Sequence, residues 1–132
     1  MRLRPGVLVV LATVACQDAG AAVDPVWGKQ ACANCSMIVS DRRFAAQLTT
    51  DDGTRVFFDD PGCMATWLAE GRGHARRLWV HTAAGTWIDA RTARYARNQS
   101  SPMGFDFAPD ERGDAEWADI ETDVRGSRRG DR

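Results

Sequence analysis

Five sulfur-bearing residues hold most of the chemistry available to this chain. Cys32-Ala33-Asn34-Cys35-Ser36-Met37 sets two thiols three residues apart with a thioether close behind, and Cys63 and Met103 follow. Thiolate and thioether together suit monovalent copper better than zinc, calcium or magnesium. The C-x-x-C spacing lets both sulfurs face one point, but it serves zinc, iron–sulfur, disulfide and copper sites alike. Met37 tilts the pair toward copper(I); its blander reading is a core methionine. Cys63 is expected in the first turn of a helix, where unpaired N–H groups and the helix dipole lower a thiol pKa. The alternatives for Cys63 are a buried apolar residue or a disulfide with Cys32 or Cys35. Met103 stands beside Gly104 in an apolar-poor loop and is a further candidate ligand. His81, at a strand end, could reach a site at the sheet edge, whereas His74 lies among arginines and reads as solvent-facing. Asp59, Asp60 and Asp89 are explained by turns and helix caps rather than by acid–base work. There is no H-x-x-x-H pair, no set of three histidines and no Gly-rich phosphate loop, which argues against a hydrolytic zinc enzyme or a nucleotide site.

The compartment follows from the N-terminus. Arg2 and Arg4 precede an apolar run, Val7 to Val14, and Ala15 is a small residue suited to cleavage. The run is shorter than the roughly 20 residues of a membrane span. Residues 1–15 are therefore expected to be a signal peptide. Cys16 follows at once, as in bacterial lipoproteins whose cysteine is acylated, although Thr13 stands where such signals usually carry Leu. Gln17 after Cys16 resembles signals sorted to the outer membrane, facing the periplasm. Residues 16–30 then hold the lipidated Cys16 and a small, polar tether, residues 31–120 a single domain, and residues 121–132 a disordered tail. Without Arg2 and Arg4 the chain has 15 basic against 18 acidic residues, which does not recommend a nucleic-acid partner. The basic stretch Arg72 to Arg77 reads first as a solvated loop and second as a patch for an acidic partner. Three cysteines remain after lipidation and cannot all pair within the chain.

The elements that would position these residues are short. Phe44–Thr49 and Thr54–Phe58 read as strands joined at Asp51-Asp52-Gly53, a hairpin turn signal. Asp60 and Pro61 read as the cap and first residue of a helix with Met64, Trp67 and Leu68 on one face. Gly71 or Gly73 ends it. Arg76–His81 and Thr86–Ile88 are further strands, Ala90–Ala96 a brief helix capped by Asp89, and Asp110–Ile120 a terminal helix. Trp67, Trp79, Trp87, Phe57 and Phe58 are expected in the core; Trp27 reads first as plain packing and second as a cover for the cysteine pair. The β-β-α-β order predicts a small α+β domain with an antiparallel sheet and a helix on one face.

Taken together, Cys32-x-x-Cys35-x-Met37-Ile38, Phe57-Phe58-Asp59-Asp60 with Cys63, Trp87-Ile88-Asp89-Ala90 with Ala93 and Tyr95, and Pro102-Met103-Gly104 resemble the NosL family, accessory lipoproteins of nitrous oxide reductase. The resemblance spans about Ala31 to Phe107 and keeps the family's block order. It implies a ββαβ fold like the metal-binding part of organomercurial lyase. It also implies a copper(I) metallochaperone, not an enzyme, that supplies the copper-sulfide centre of nitrous oxide reductase or its maturation complex, with a membrane ABC-type transporter as a further partner. Cys32, Cys35, Met37, Cys63 and Met103 are the ligands carried over. Cuprous ion needs only two or three of them; Cys63 or Cys35 with Met103 or Met37 is favoured, with a histidine as a possible third ligand. Ser36 stands where the family has Gly, so a left-handed turn there would be strained. Glu111-Arg112-Gly113 departs from the family's Gly-Gly element. Two rival readings are a thiol–disulfide oxidoreductase using Cys32 and Cys35, and a structural domain held by zinc or a disulfide.

Overall fold

The computed structural model describes residues 20–130, so the signal peptide and Cys16 lie outside the described residues. Hairpin chemistry sets the first two strands, β1 (Ala46–Thr50) and β2 (Arg55–Phe58). Gly53 takes φ 87° in the turn, and Asp52 accepts the Thr54 N–H at 3.0 Å. Helix α1 (Pro61–Ala69) starts where Asp60, in extended backbone, accepts the Gly62 N–H at 2.9 Å. It ends before Gly71, whose φ of 68° is the left-handed value that stops a helix. β3 (Ala75–His81) returns along β1, and a turn at Gly85 leads into β4 (Trp87–Asp89).

The four strands form one antiparallel sheet in the order β2-β1-β3-β4. The register puts Ala46, Leu48, Phe58, Leu78 and Val80 on one face, all buried, with α1 packed against β1 and β2. This is the small α+β domain that the order of elements predicts.

Three expectations are corrected. Ala90–Ala96 is not a helix. Asp89 caps a turn, accepting the Arg91 N–H at 2.8 Å, and the chain then enters β5 (Tyr95–Ala96), paired with β6 (Ala108–Pro109). The Tyr95 ring is fully buried, its hydroxyl donates to the Ala90 carbonyl at 2.6 Å, and its backbone exchanges two hydrogen bonds with Ala115. These long-range partners outweigh the helix propensity of the alanines. Gly113 belongs to the same knot: a Cβ there would lie 2.1 Å from the Tyr95 carbonyl, so the position takes only glycine.

The terminal helix is displaced and longer. α2 runs Trp117–Gly130, through the stretch expected to be a disordered tail. Trp117, Ile120 and Val124 are buried on one side of it, and that side packs on α1.

The tether is also corrected. Residues Ala21–Trp27 lie on the face of the sheet away from α1. Val23 exchanges two hydrogen bonds with the Gln47 amide, at 3.1 and 2.7 Å, and Asp24 accepts the Trp87 indole N–H at 2.9 Å. Gln47 is buried in mid-strand, and the two-point amide clasp satisfies it.

Candidate metal centre

Three separate parts of the chain meet at one end of β2. Cys32 and Cys35 come from a tight loop. The Cys32 N–H donates to the Met37 carbonyl at 2.7 Å and the Ser36 N–H to the Cys32 carbonyl at 3.0 Å. Ser36 pays for this closure with φ 67°, the left-handed conformation that glycine would adopt freely. The Ala33 N–H donates to the Phe57 carbonyl at 2.9 Å, fixing the loop on the sheet edge. Arg72, just past α1, donates to the Ala33 carbonyl at 3.0 Å and pins it from the other side. Cys63 comes from the first turn of α1, and Asp59 from the step between β2 and that helix.

One ligand atom each from Cys32, Cys35, Asp59 and Cys63 lies within 4.8 Å of all the others. All three thiols are free. Cys32, Cys63 and Asp59 are buried, and Cys35 is partly open to solvent. The Cys35 thiol donates to Asp59 Oδ1 at 3.3 Å, while the buried Asp59 Oδ2 has no partner. A buried carboxyl oxygen left unpaired beside three sulfurs is a costly arrangement without a cation. The group can therefore hold a metal ion: three sulfurs and a carboxylate oxygen converge, and these are the donors of a thiophilic metal.

The electrostatics reverse one expectation. Cys63, not Cys32, was the thiol expected to be acidic. The Cys63 thiol directed at the Cys32 sulfur instead holds Cys32 down to about 6, overcoming the opposing effect of burial. Cys63 is raised by the same contact and by its own burial. Burial pushes Cys35 up to about 11, helped by the neighbouring Cys32 and Asp59. These opposed shifts favour a thiolate on Cys32 over one on Cys35 or Cys63. An ultraviolet titration of the metal-free chain is expected to show a single thiolate appearing with a midpoint of about 6, and Cys32→Ser to remove it. The folded value lies below the unfolded value of 9.0, so Cys32 contributes stability that is fully present above 9.0 and lost as pH falls through about 6. Cys35 works in the opposite sense: its contribution is lost as pH rises through about 11.

The remaining candidates are placed as follows. Met37 and Met103 are 48% and 41% exposed. Each is tied to the centre through its backbone: the Met37 carbonyl holds Cys32, and the Met103 N–H donates to Asp60 Oδ2 at 3.1 Å. The Met103 loop is itself clasped by Ser101 and Asp106, which exchange two hydrogen bonds, and Phe105 covers Gly62 so closely that a Cβ there would lie 2.0 Å from its ring. His81 does not join the group. It is buried edge-on to Trp27 and Trp87, with ring centroids 5.4 and 4.9 Å away, and its Nδ1 has no partner. Trp27 packs edge-on to His81 and stacks on Trp87, which is the plain packing role rather than a shield over the cysteines. Sequence reasoning missed Asp59, because a turn explained it; the signal was its place in the Phe57-Phe58-Asp59-Asp60 block, four residues before Cys63.

No protein-family model, no curated protein and no solved structure matches this chain. Among the described residues, no helix is long and apolar enough to cross a membrane.

Proposed function

We propose that this chain is a periplasm-facing lipoprotein that holds copper(I) and passes it on by ligand exchange, with nitrous oxide reductase or its maturation complex as recipient and an ABC-type membrane transporter as a further partner. The observation that carries the reading is the convergence of three free thiols and a buried, half-satisfied carboxyl group within 4.8 Å. Copper(I) is a soft ion satisfied by two or three sulfurs. Cys32, the thiol whose pKa is lowered by the Cys63 contact, is the first ligand, with Cys63 or Cys35 beside it. The exposed Met37 and Met103 are the neutral ligands that a recipient's sulfur meets first. Exchange of this kind makes and breaks metal–sulfur bonds and needs no acid–base catalyst. The NosL-like blocks support the identity of the metal and the recipient, and the β1-β2-α1-β3 order agrees with the organomercurial-lyase-like topology that the resemblance implies.

Asp59 favours a second reading, structural zinc, because three sulfurs and one oxygen make a closed tetrahedral set. Thiol–disulfide exchange has less support. The nucleophile there must be exposed and acidic, whereas here the acidic Cys32 is buried and the more open Cys35 is held protonated. Anaerobic titration of the reduced chain against competing chelators separates these readings. Stoichiometric copper(I) binding that displaces zinc, with the fold retained when the metal is withdrawn, is the expected outcome. Zinc retention against copper(I), with unfolding on chelation, would establish the structural role instead.

A further inference from the structure

Arg76 and Arg77 take no part in the metal centre. Both are exposed at the start of β3, and among the described residues neither makes an ion pair or a side-chain hydrogen bond. Across the sheet, Thr49 pairs with Arg77 on one side and Arg55 on the other, so two arginines flank a single row. The turn at that end carries two exposed carboxylates, Asp51 and Asp52, of which Asp52 is engaged by the Thr50 hydroxyl and the Thr54 N–H.

The docked leader enters at this same row. The Ala21 carbonyl accepts from Arg55 Nη2 at 2.7 Å. Val23 lies at Gln47, the next row of that face, and Trp27 packs on His81 at the row beyond. From Ala21 onward the leader therefore runs away from the arginine end. Cys16 is five residues earlier, a reach of at most about 18 Å. The metal centre is at the opposite end: from Arg55, β2 takes four residues, about 13 Å, to arrive at Asp59.

We propose that Arg76 and Arg77, with the Arg55 row, form a surface for the headgroups of anionic phospholipids. The short lipidated leader seats that end on the bilayer, and the metal centre faces away from it. This rests on the lipoprotein reading of Cys16 and adds the face of contact. The chemistry is that of guanidinium groups against phosphate, which arginine binds through paired donors. The hydrogen bonds of Ala21, Val23 and Asp24 fix the described start of the leader on the sheet beside Arg55, which gives the attachment a direction.

The test uses the mature chain reconstituted in vesicles of phosphatidylcholine alone or mixed with phosphatidylglycerol. Phenylglyoxal modifies accessible arginines, and peptide mapping reads each site. Arg76 and Arg77 are expected to react about fivefold more slowly in the anionic vesicles, the scale of one arginine's attraction to such a surface, and to recover at high salt. Arg128, exposed on α2 behind the opposite face, serves as the reference and keeps its rate. Equal rates for Arg76 and Arg77 in both vesicles, or equal slowing of Arg128, would overturn the proposal. So would an intact mass showing no acyl group on the chain. A variant with Arg76→Gln and Arg77→Gln is expected to bind copper(I) as the parent does and to lose the difference between vesicles in hydrogen exchange of the Gly71–Ala75 loop. A difference that persists in this variant also counts against the arginine surface. Copper titration is read separately, so failure here leaves the metal reading standing, and failure there leaves this one.

Discussion

Replacing Cys32 by serine is expected to lower copper(I) affinity by more than about 100-fold, beyond the 10–100-fold range seen when only a supporting residue is lost. Cys32 is the group that the site keeps ionised near neutral pH, with a value of about 6. Its substitution removes the one ligand that needs no deprotonation. Cys63 also loses its partner, since the Cys63 thiol is directed at the Cys32 sulfur. Anaerobic competition with a cuprous chelator measures the effect. Met37→Ala and Met103→Ala are the controls: both side chains are near half exposed, and neither replacement should match the loss at Cys32. Undiminished affinity in the Cys32→Ser chain would remove Cys32 from the ligand set.

Asp60→Ala is expected to cost about 2–4 kcal/mol of stability, combining a lost helix cap of about 0.5–2 with an unsatisfied buried donor of about 1–3. One Asp60 oxygen accepts the Gly62 N–H at 2.9 Å and starts α1; the other accepts the Met103 N–H at 3.1 Å. The same side chain thus places Cys63 and ties down the Met103 loop. Burial raises its pKa despite those hydrogen bonds. Thermal unfolding should register a fall of at least about 8 °C, at about 4 °C per kcal/mol. A melting temperature within a degree or two of the parent would show that the loop and helix are held by other means. Asp60→Asn, which keeps one acceptor oxygen, is expected to lose less.

Local chemistry was the legible part of this fold. Asp51-Asp52-Gly53 and Asp60-Pro61 act on residues within a turn of themselves, so the hairpin and the start of α1 stand where the sequence places them. So do the free Cys32, Cys35 and Cys63, although the sequence left open whether they would meet. What was hidden depended on distant partners. Ala90–Ala96 has helical composition, yet Tyr95 finds Ala115 and Pro109. The leader looks like a polar linker because its partners, Gln47 and Trp87, lie 24 and 63 residues away. Gln47, between the apolar Ala46 and Leu48, was the clue that something covers that face. The helical continuation past Ile120 was also readable, from Trp117, Ile120 and Val124 at one face, but the arginine- and glycine-rich end obscured it. Asp59 was hidden for another reason: a carboxyl at a turn has an adequate local explanation, and only the fold shows the sulfurs around it.

Under the proposed copper(I) transfer, the lowered pKa of Cys32 beside the raised Cys35 and Cys63 would tie metal traffic to proton traffic. Cys32 can take an ion without giving anything up, but a second bond to Cys63 or Cys35 displaces the proton that sulfur carries. Loading the site therefore releases a proton, and emptying it draws one back. Each unit of acidification disfavours the doubly bonded state by about tenfold, so an acidic surrounding assists hand-over and an alkaline one assists capture. On that proposal, cargo and proton would move in opposite directions through the same few ångströms.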